Sequence, residues 1–151
     1  MKTPDSNVLL YAVNSDSPQH AVAADWLERG FDEPGGIAFA WIALLGFIRI
    51  ATRPGIFPNA LHIEDALGVV DDWLHHPHAR VLNPTDRHAA LLARLLTGAG
   101  QGGSLTTDAH LAALAIEHGA TLGSFDRDFE RFAGLRVDHL PARAVHEPCA
   151  S

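Results

Sequence analysis

Apolar positions along this chain change period repeatedly, from short unbroken runs to stripes spaced three and four residues apart. Runs at Ile37–Ala40, Ala79–Leu82, Ala120–Gly123 and Leu135–Val137 read as short buried strands, with Met1–Pro4 as a weaker first one. Helical spacing predicts helices within Asp5–Val13 and over His20–Arg29, Trp41–Ala51, Ile63–His75 and Asp86–Thr97. The most telling stretch is Ser104–Gly119. There Leu111, Ala112, Ala115 and Ile116 form one apolar face, Asp108 stands where an N-cap is expected, and Gly119 stands where a C′ glycine is expected. Strands alternating with helices predict an α/β three-layer sandwich around a mostly parallel sheet, with an unpatterned tail from Pro141.

Acids recur at the switches between these elements. Asp5 follows the first strand, Asp108 opens the central helix, and Asp126 follows the strand at 120–123. Ligands of open α/β sheets sit outside the carboxyl ends of the strands, so acids carried there meet in one place. Each acid alone also fits an N-cap, a role worth about 0.5–2 kcal/mol. Together they repel unless one takes up a proton or a cation sits between them. Oxygen ligands without Cys or His favour Mg²⁺ or Mn²⁺ over zinc, and such a cluster suits phosphodiester hydrolysis. Asp128 reads as a supporting or exposed charge.

Composition narrows the choice. The chain has 151 residues, enough for one domain with a full core, and a formal charge of −7. That charge argues against coating nucleic acid by bulk electrostatics, though not against handling phosphate through metal ions. Cys149 is the single cysteine, so no disulfide framework exists. With no basic-then-apolar leader and no apolar run of about 18 residues, a cytoplasmic protein off the membrane is expected. The ten histidines are scattered, and His75, His76 and His78 read as a solvated turn at a helix end. Gly98–Gly103 lacks a following Lys-Ser/Thr and comes after a helix, so it reads as a connector rather than a phosphate loop. A haloacid-dehalogenase pattern fails because Asn7 stands two residues after Asp5, and a receiver-domain pattern fails because the only lysine is Lys2.

The segments PDSNVLLYA (4–12), FIRIATRPGIF (47–57), LTTDAHLAALAIEHGATLGSFDRDFERF (105–132) and LRV (135–137) resemble the PIN-domain ribonucleases, most of all VapC-type toxins. The resemblance runs in order over nearly the whole chain. It implies a PIN domain over 1–140 with a sheet of four to five strands, followed by a tail at 141–151. It also implies an Mg²⁺- or Mn²⁺-dependent endoribonuclease acting on structured RNA such as tRNA or rRNA, a homodimer, and a VapB-type antitoxin whose tail fills the active site. Carried over by position, the catalytic and metal-binding acids are Asp5, Asp108 and Asp126, with Ser6, Asn7, Thr107 and Asp128 around them.

One position departs from the family pattern. Where these toxins usually carry a Glu, this chain has Gly46. Glycine inside a helix costs about 0.5–1 kcal/mol relative to alanine and brings no ligand, and the apolar pattern shows no packing reason for it. The expectation is a weakened or inactivated site, leaving a non-cleaving module that binds antitoxin or RNA as the alternative reading. A further alternative has Gly46 admitting a close backbone approach while Glu64 or Asp65 supplies the acid. Arg49, Arg53 and Arg127 are the candidate RNA contacts. Trp41 and Trp73 are expected in the core or a dimer seam. The helices near 20–30 and 41–51 are expected to carry the antitoxin groove and that seam.

Overall fold

A computed structural model describes residues 1–55, 59–100, 102–103 and 105–142; Cys149 and most of the tail lie outside them. Among these residues five strands form one sheet: β1 (Lys2–Pro4), β2 (Ile37–Ala40), β3 (Ala79–Leu82), β4 (Thr121–Ser124) and β5 (Arg136–His139). Their order is β3-β2-β1-β4-β5 and every pairing is parallel. The chain therefore winds outward from β1 in one direction, then returns to build β4 and β5 on its other side. The switch point lies between β1 and β4, where Pro4 is in register with Gly123.

Among the described residues six α-helices cover both faces: α1 (Ser6–Val13), α2 (His20–Asp32), α3 (Trp41–Ala51), α4 (Ile63–Leu74), α5 (His88–Ala99) and α6 (Leu105–His118). Strand β2 shows why both layers are needed. All four of its residues are buried, and they alternate. Ile37 and Phe39 join a core with Leu9, Leu44 and Phe47 of α1 and α3, while Ala38 and Ala40 join a second core with Leu95, Ala112 and Phe129. This two-sided burial is characteristic of parallel sheets. Trp26 of α2 lies on Gly123, occupying the space that any Cβ there would need, and its indole N–H donates to Asp138 at 2.9 Å.

Element types match expectation, and the boundaries differ for local reasons. Helix α2 runs on to Asp32, and β5 extends to His139. Helix α5 starts at His88 because Thr85 and Arg87 are taken up by a turn in which the Thr85 hydroxyl accepts the Arg87 N–H at 3.1 Å. Helix α6 starts at Leu105, its first amides donating to Gly102 and Gly103 carbonyls at 3.2 and 3.0 Å. Asp108 is thus the fourth residue of α6 and not its N-cap, which corrects the expectation above. The histidine turn is only partly solvated: His76 stacks on Phe31 with ring centroids 4.1 Å apart, and His78 bonds the Phe31 carbonyl at 2.6 Å. Trp73 packs against Phe39 and Phe47 as expected of a core residue, whereas Trp41 is 45% exposed. Among the described residues, no helix is long and apolar enough to cross a membrane.

The far end of α6 is held by Glu117, whose side chain is fully buried. Its carboxylate accepts the Thr85 amide at 2.7 Å, the Thr85 hydroxyl at 2.5 Å and the His88 ring, which in turn meets His110 at 2.9 Å. Burial pushes the Glu117 pKa up, but the Thr85 and His88 hydrogen bonds outweigh it and hold the carboxyl below its ordinary value. Replacing Glu117 with alanine leaves those donors without their acceptor, and the expected cost is about 2–4 kcal/mol. Urea denaturation checks this; an unchanged midpoint would show that water replaces the carboxylate.

Candidate active site

The site is built at the carboxyl ends of β1 and β4. Asp5 leaves β1 and caps α1, its Oδ1 accepting the Ser6 N–H at 2.8 Å. Its backbone N–H donates to the Gly123 carbonyl at 2.9 Å, joining it to the neighbouring strand. Ser124 ends β4 with its side chain fully buried, and its hydroxyl donates to Asp5 Oδ2 at 2.8 Å. The same oxygen accepts the Asp126 N–H at 3.0 Å and the Asn7 amide at 3.3 Å. Asn7 in turn accepts the Phe125 N–H at 3.3 Å. Asp126 caps the 3₁₀ turn Arg127–Arg131 by accepting the Asp128 N–H at 2.9 Å. Asp5 and Asp126 therefore do cap, while each remains at the sheet edge.

Asp108 arrives from the other layer, in the first turn of α6. It shares a small cavity of about 160 Å³ with Asp5, Ser6, Gly46, Arg49 and Thr107. Asp126 faces an adjoining groove together with Asn7 and Arg127. Asp5 and Asp108 thus border one recess and Asp126 the next, with Ser124 joining Asp5 to the Asp126 amide. Among the described residues, no three His, Cys, Asp or Glu side chains stand ready-made as a metal cage. They do feel one another. Burial raises the Asp5 pKa above its ordinary value, with Asp126 adding to the effect against hydrogen bonds from Ser124 and Ser6. Asp108 is pushed up to about 6, first by burial and then by the charges of Asp5, Asp126 and Asp128, with Arg131 opposing.

The remaining candidates divide. Arg49 is exposed and lines the acid cavity, and Arg127 is exposed and pairs with Glu130 at 3.3 Å. Arg53 is exposed beyond the end of α3 and does not line the cavity. Asp128 is exposed and pairs with Arg131 at 3.2 Å. Gly46 has a packing reason that the apolar pattern did not reveal. The Ser6 hydroxyl lies where a Cβ at position 46 would project, donating to the Ala43 carbonyl at 3.1 Å, and Ser6 Cβ would stand 3.1 Å from that atom. The close neighbour is a side chain rather than backbone. Glu64 and Asp65 head α4, exposed, and neither lines the cavity.

Two contributors escaped the sequence reading. Ser124 is the hub of the acid cluster, and its one sequence signal is a hydroxyl two residues ahead of Asp126. Arg131 tempers the charge on Asp108 across the cluster, a relation visible only once the 3₁₀ turn is formed.

An α/β sandwich with paired carboxylates at its topological switch point defines the class of fold and site. The PIN domain family matches residues 2–135. Ribonuclease VapC37 of Mycobacterium tuberculosis is 51% identical over 142 residues, covering 94% of this chain and 99% of its own. Ribonuclease VapC33 of the same species is 40% identical over 136 residues, covering 90% and 95%. Among solved structures, VapBC2 from Rickettsia felis, bound to a DNA fragment from its promoter, shares the fold. Its TM-score is 0.69 at 18% identity, over 93% of this chain and 98% of that one. The chain belongs to the PIN-domain family, on its VapC branch.

The raised Asp108 pKa has a measurable consequence. Unfolded, this carboxyl titrates near 3.8; folded, near 6. Between those values the native state binds more protons, so the Asp108 contribution to stability falls as pH rises from about 4 to about 6, with the penalty complete above that. In EDTA, Asp108→Asn is expected to melt progressively higher than the parent across that window, with Mg²⁺ narrowing the gap at neutral pH. A pH-independent difference between the two proteins would contradict this.

Proposed function

We propose that this protein is a metal-dependent endoribonuclease toxin acting on structured RNA, with Gly46 weakening its catalysis. The observation that carries the reading is the shared cavity of Asp5 and Asp108 with Arg49 on its wall, in a chain 51% identical to Ribonuclease VapC37. The donor set supports a hard divalent cation: oxygen atoms only, two carboxyls with raised pKa values, and no sulfur or imidazole ligand lining the cavity among the described residues. Asp5 and Asp108 would hold Mg²⁺ or Mn²⁺. Such an ion would neutralise the phosphate and lower the pKa of a bound water.

The chain's own groups set the stage for that chemistry. Ser124 and the Ser6 amide leave Asp5 one orientation. Asp126 adds negative field without entering the cavity. Arg49 is placed to hold a phosphate of the RNA, and Thr107 borders the same cavity. Gly46 brings no side chain and α3 carries no acid, so no carboxylate reaches the ion from that helix.

Partners follow from the same reading. A VapB-type antitoxin is proposed to cover the acid cavity. Trp41 and Leu45 of α3 with Ile63 and Leu67 of α4, each between 45% and 53% exposed, are the candidate homodimer surface. The proposed site of action is the cytoplasm, and the proposed domain spans 1–140. Gly46 also favours a second reading, a PIN-fold module that binds RNA or antitoxin without cutting.

Cleavage of total tRNA and rRNA distinguishes these readings. Gly46→Glu is expected to cut faster than the parent with Mg²⁺ or Mn²⁺, to stop with EDTA, and to lose at least about a hundred-fold on adding Asp108→Asn. Because Ser6 crowds position 46, the Ser6→Gly companion relieves any folding defect of the Glu form. If no form cuts under any condition, the enzyme reading fails and the binding module stands.

A further inference from the structure

The acids separate two recesses of unequal size. The cavity containing Gly46 and Arg49 is about 160 Å³; the groove that begins at Asn7 and Asp126 is about 780 Å³, roughly five times larger. Among the described residues each recess is lined by one exposed arginine, Arg49 in the first and Arg127 in the second. In a chain of net charge −7, those local cations mark where a polyanion can cross the acids with a phosphate on either side.

The groove has walls of a particular kind. Tyr11 of α1 and Phe125 meet edge to face, ring centroids 5.2 Å apart at 90°, and both are half-buried. Each packs one side against the core and turns the rest to the groove. Two carboxamides, Asn7 and Gln19, stand beside the rings. Phe125 is also held in register with the acids. It lies between Ser124, which orients Asp5, and Asp126, and its own N–H is tied to Asn7 at 3.3 Å. A flat ring resting on Phe125 is therefore placed at a set offset from the carboxylates.

We infer that this groove is a nucleobase subsite: it takes the base of the nucleotide flanking the scissile bond on the Arg127 side, in a single-stranded segment of RNA. The inference rests on the ribonuclease reading above. Aromatic faces accept any base by stacking, and the Gln19 carboxamide, whose oxygen accepts the Ser17 hydroxyl at 2.6 Å, offers its N–H groups to the base edge. Arg127 is free to engage the adjoining phosphate, because its exposed pair with Glu130 is worth little. Arg49 and the acids act on the phosphate; Phe125 and Tyr11 fix which nucleotide lies next to it.

The test is a thermodynamic cycle using the full chain with Mg²⁺ and short single-stranded RNAs carrying one abasic site moved along the strand. In the parent protein, removal of one particular base is expected to weaken binding by on the order of ten-fold or more. Phe125→Leu is expected to lose the same factor with intact RNA and nothing further with that abasic strand, while Phe125→Tyr keeps the parent pattern. An RNA bearing aminopurine at the sensitive position is expected to be quenched on the parent protein, a readout that needs no variant. If the parent binds RNA but the losses simply add, or RNA affinity is unchanged in Phe125→Leu, the groove belongs to another occupant such as a protein partner, and the subsite is overturned while the ribonuclease reading stands. If the parent protein and its Gly46→Glu form bind no RNA at all, both fall together.

Discussion

Ser124 donates its hydroxyl hydrogen to Asp5 and accepts the Asp126 amide with the same oxygen, and the acid cluster depends on this one buried atom. Its leverage comes from topology. With β1 at the centre of a parallel sheet and β4 beside it, the ends of the two strands lie side by side. The Asp5 amide reaches across to the Gly123 carbonyl at 2.9 Å, and the Ser124 hydroxyl reaches back. These two cross-strand bonds orient a carboxylate that burial would otherwise leave poorly solvated. The cluster is assembled by strand order, since Asp5 and Ser124 are 119 positions apart in the chain.

The site is also a place of stored repulsion. Asp126 works against the ionised form of Asp5, and Asp5, Asp126 and Asp128 against that of Asp108, where Arg131 opposes them. A fold that keeps such a cluster gives up stability unless a cation or proton relieves it. Stability is recovered elsewhere. Glu117 at the other end of α6 is satisfied by the Thr85 amide, the Thr85 hydroxyl and His88, so the same helix carries an unrelieved carboxyl in its first turn and a well-satisfied one in its last. Gly46 belongs with this pattern. By admitting Ser6 where a Cβ would otherwise stand, it lets a hydroxyl line the acid cavity.

Much of this was legible from the chain alone. Alternation of short apolar runs with helical stripes determined the order of strands and helices and the α/β class, because burial on two sheet faces demands that pattern. Asp5 and Asp126 as caps followed from local chemistry, since an Asx side chain beside a free amide is an interaction between sequence neighbours. The three acids stood out by position at the switches between elements, whereas Gly46 drew notice only through the family resemblance.

What the tertiary structure decided involves distant partners or a shift of a few residues. Asp108 lost its expected capping role because the helix begins four residues earlier, its first amides bonded to the carbonyls of Gly102 and Gly103, a boundary that periodicity does not resolve. The reason for Gly46 lay in Ser6 on another helix, the role of Ser124 lay in Asp5 on another strand, and the division of the acids between a small cavity and an aromatic-walled groove needed both layers packed. Sequence determines which residues carry chemistry and which local structures they form, because those are set by neighbours along the chain. Which of them share a cavity is set by strand order and side-chain volume, and these exist only in the folded state.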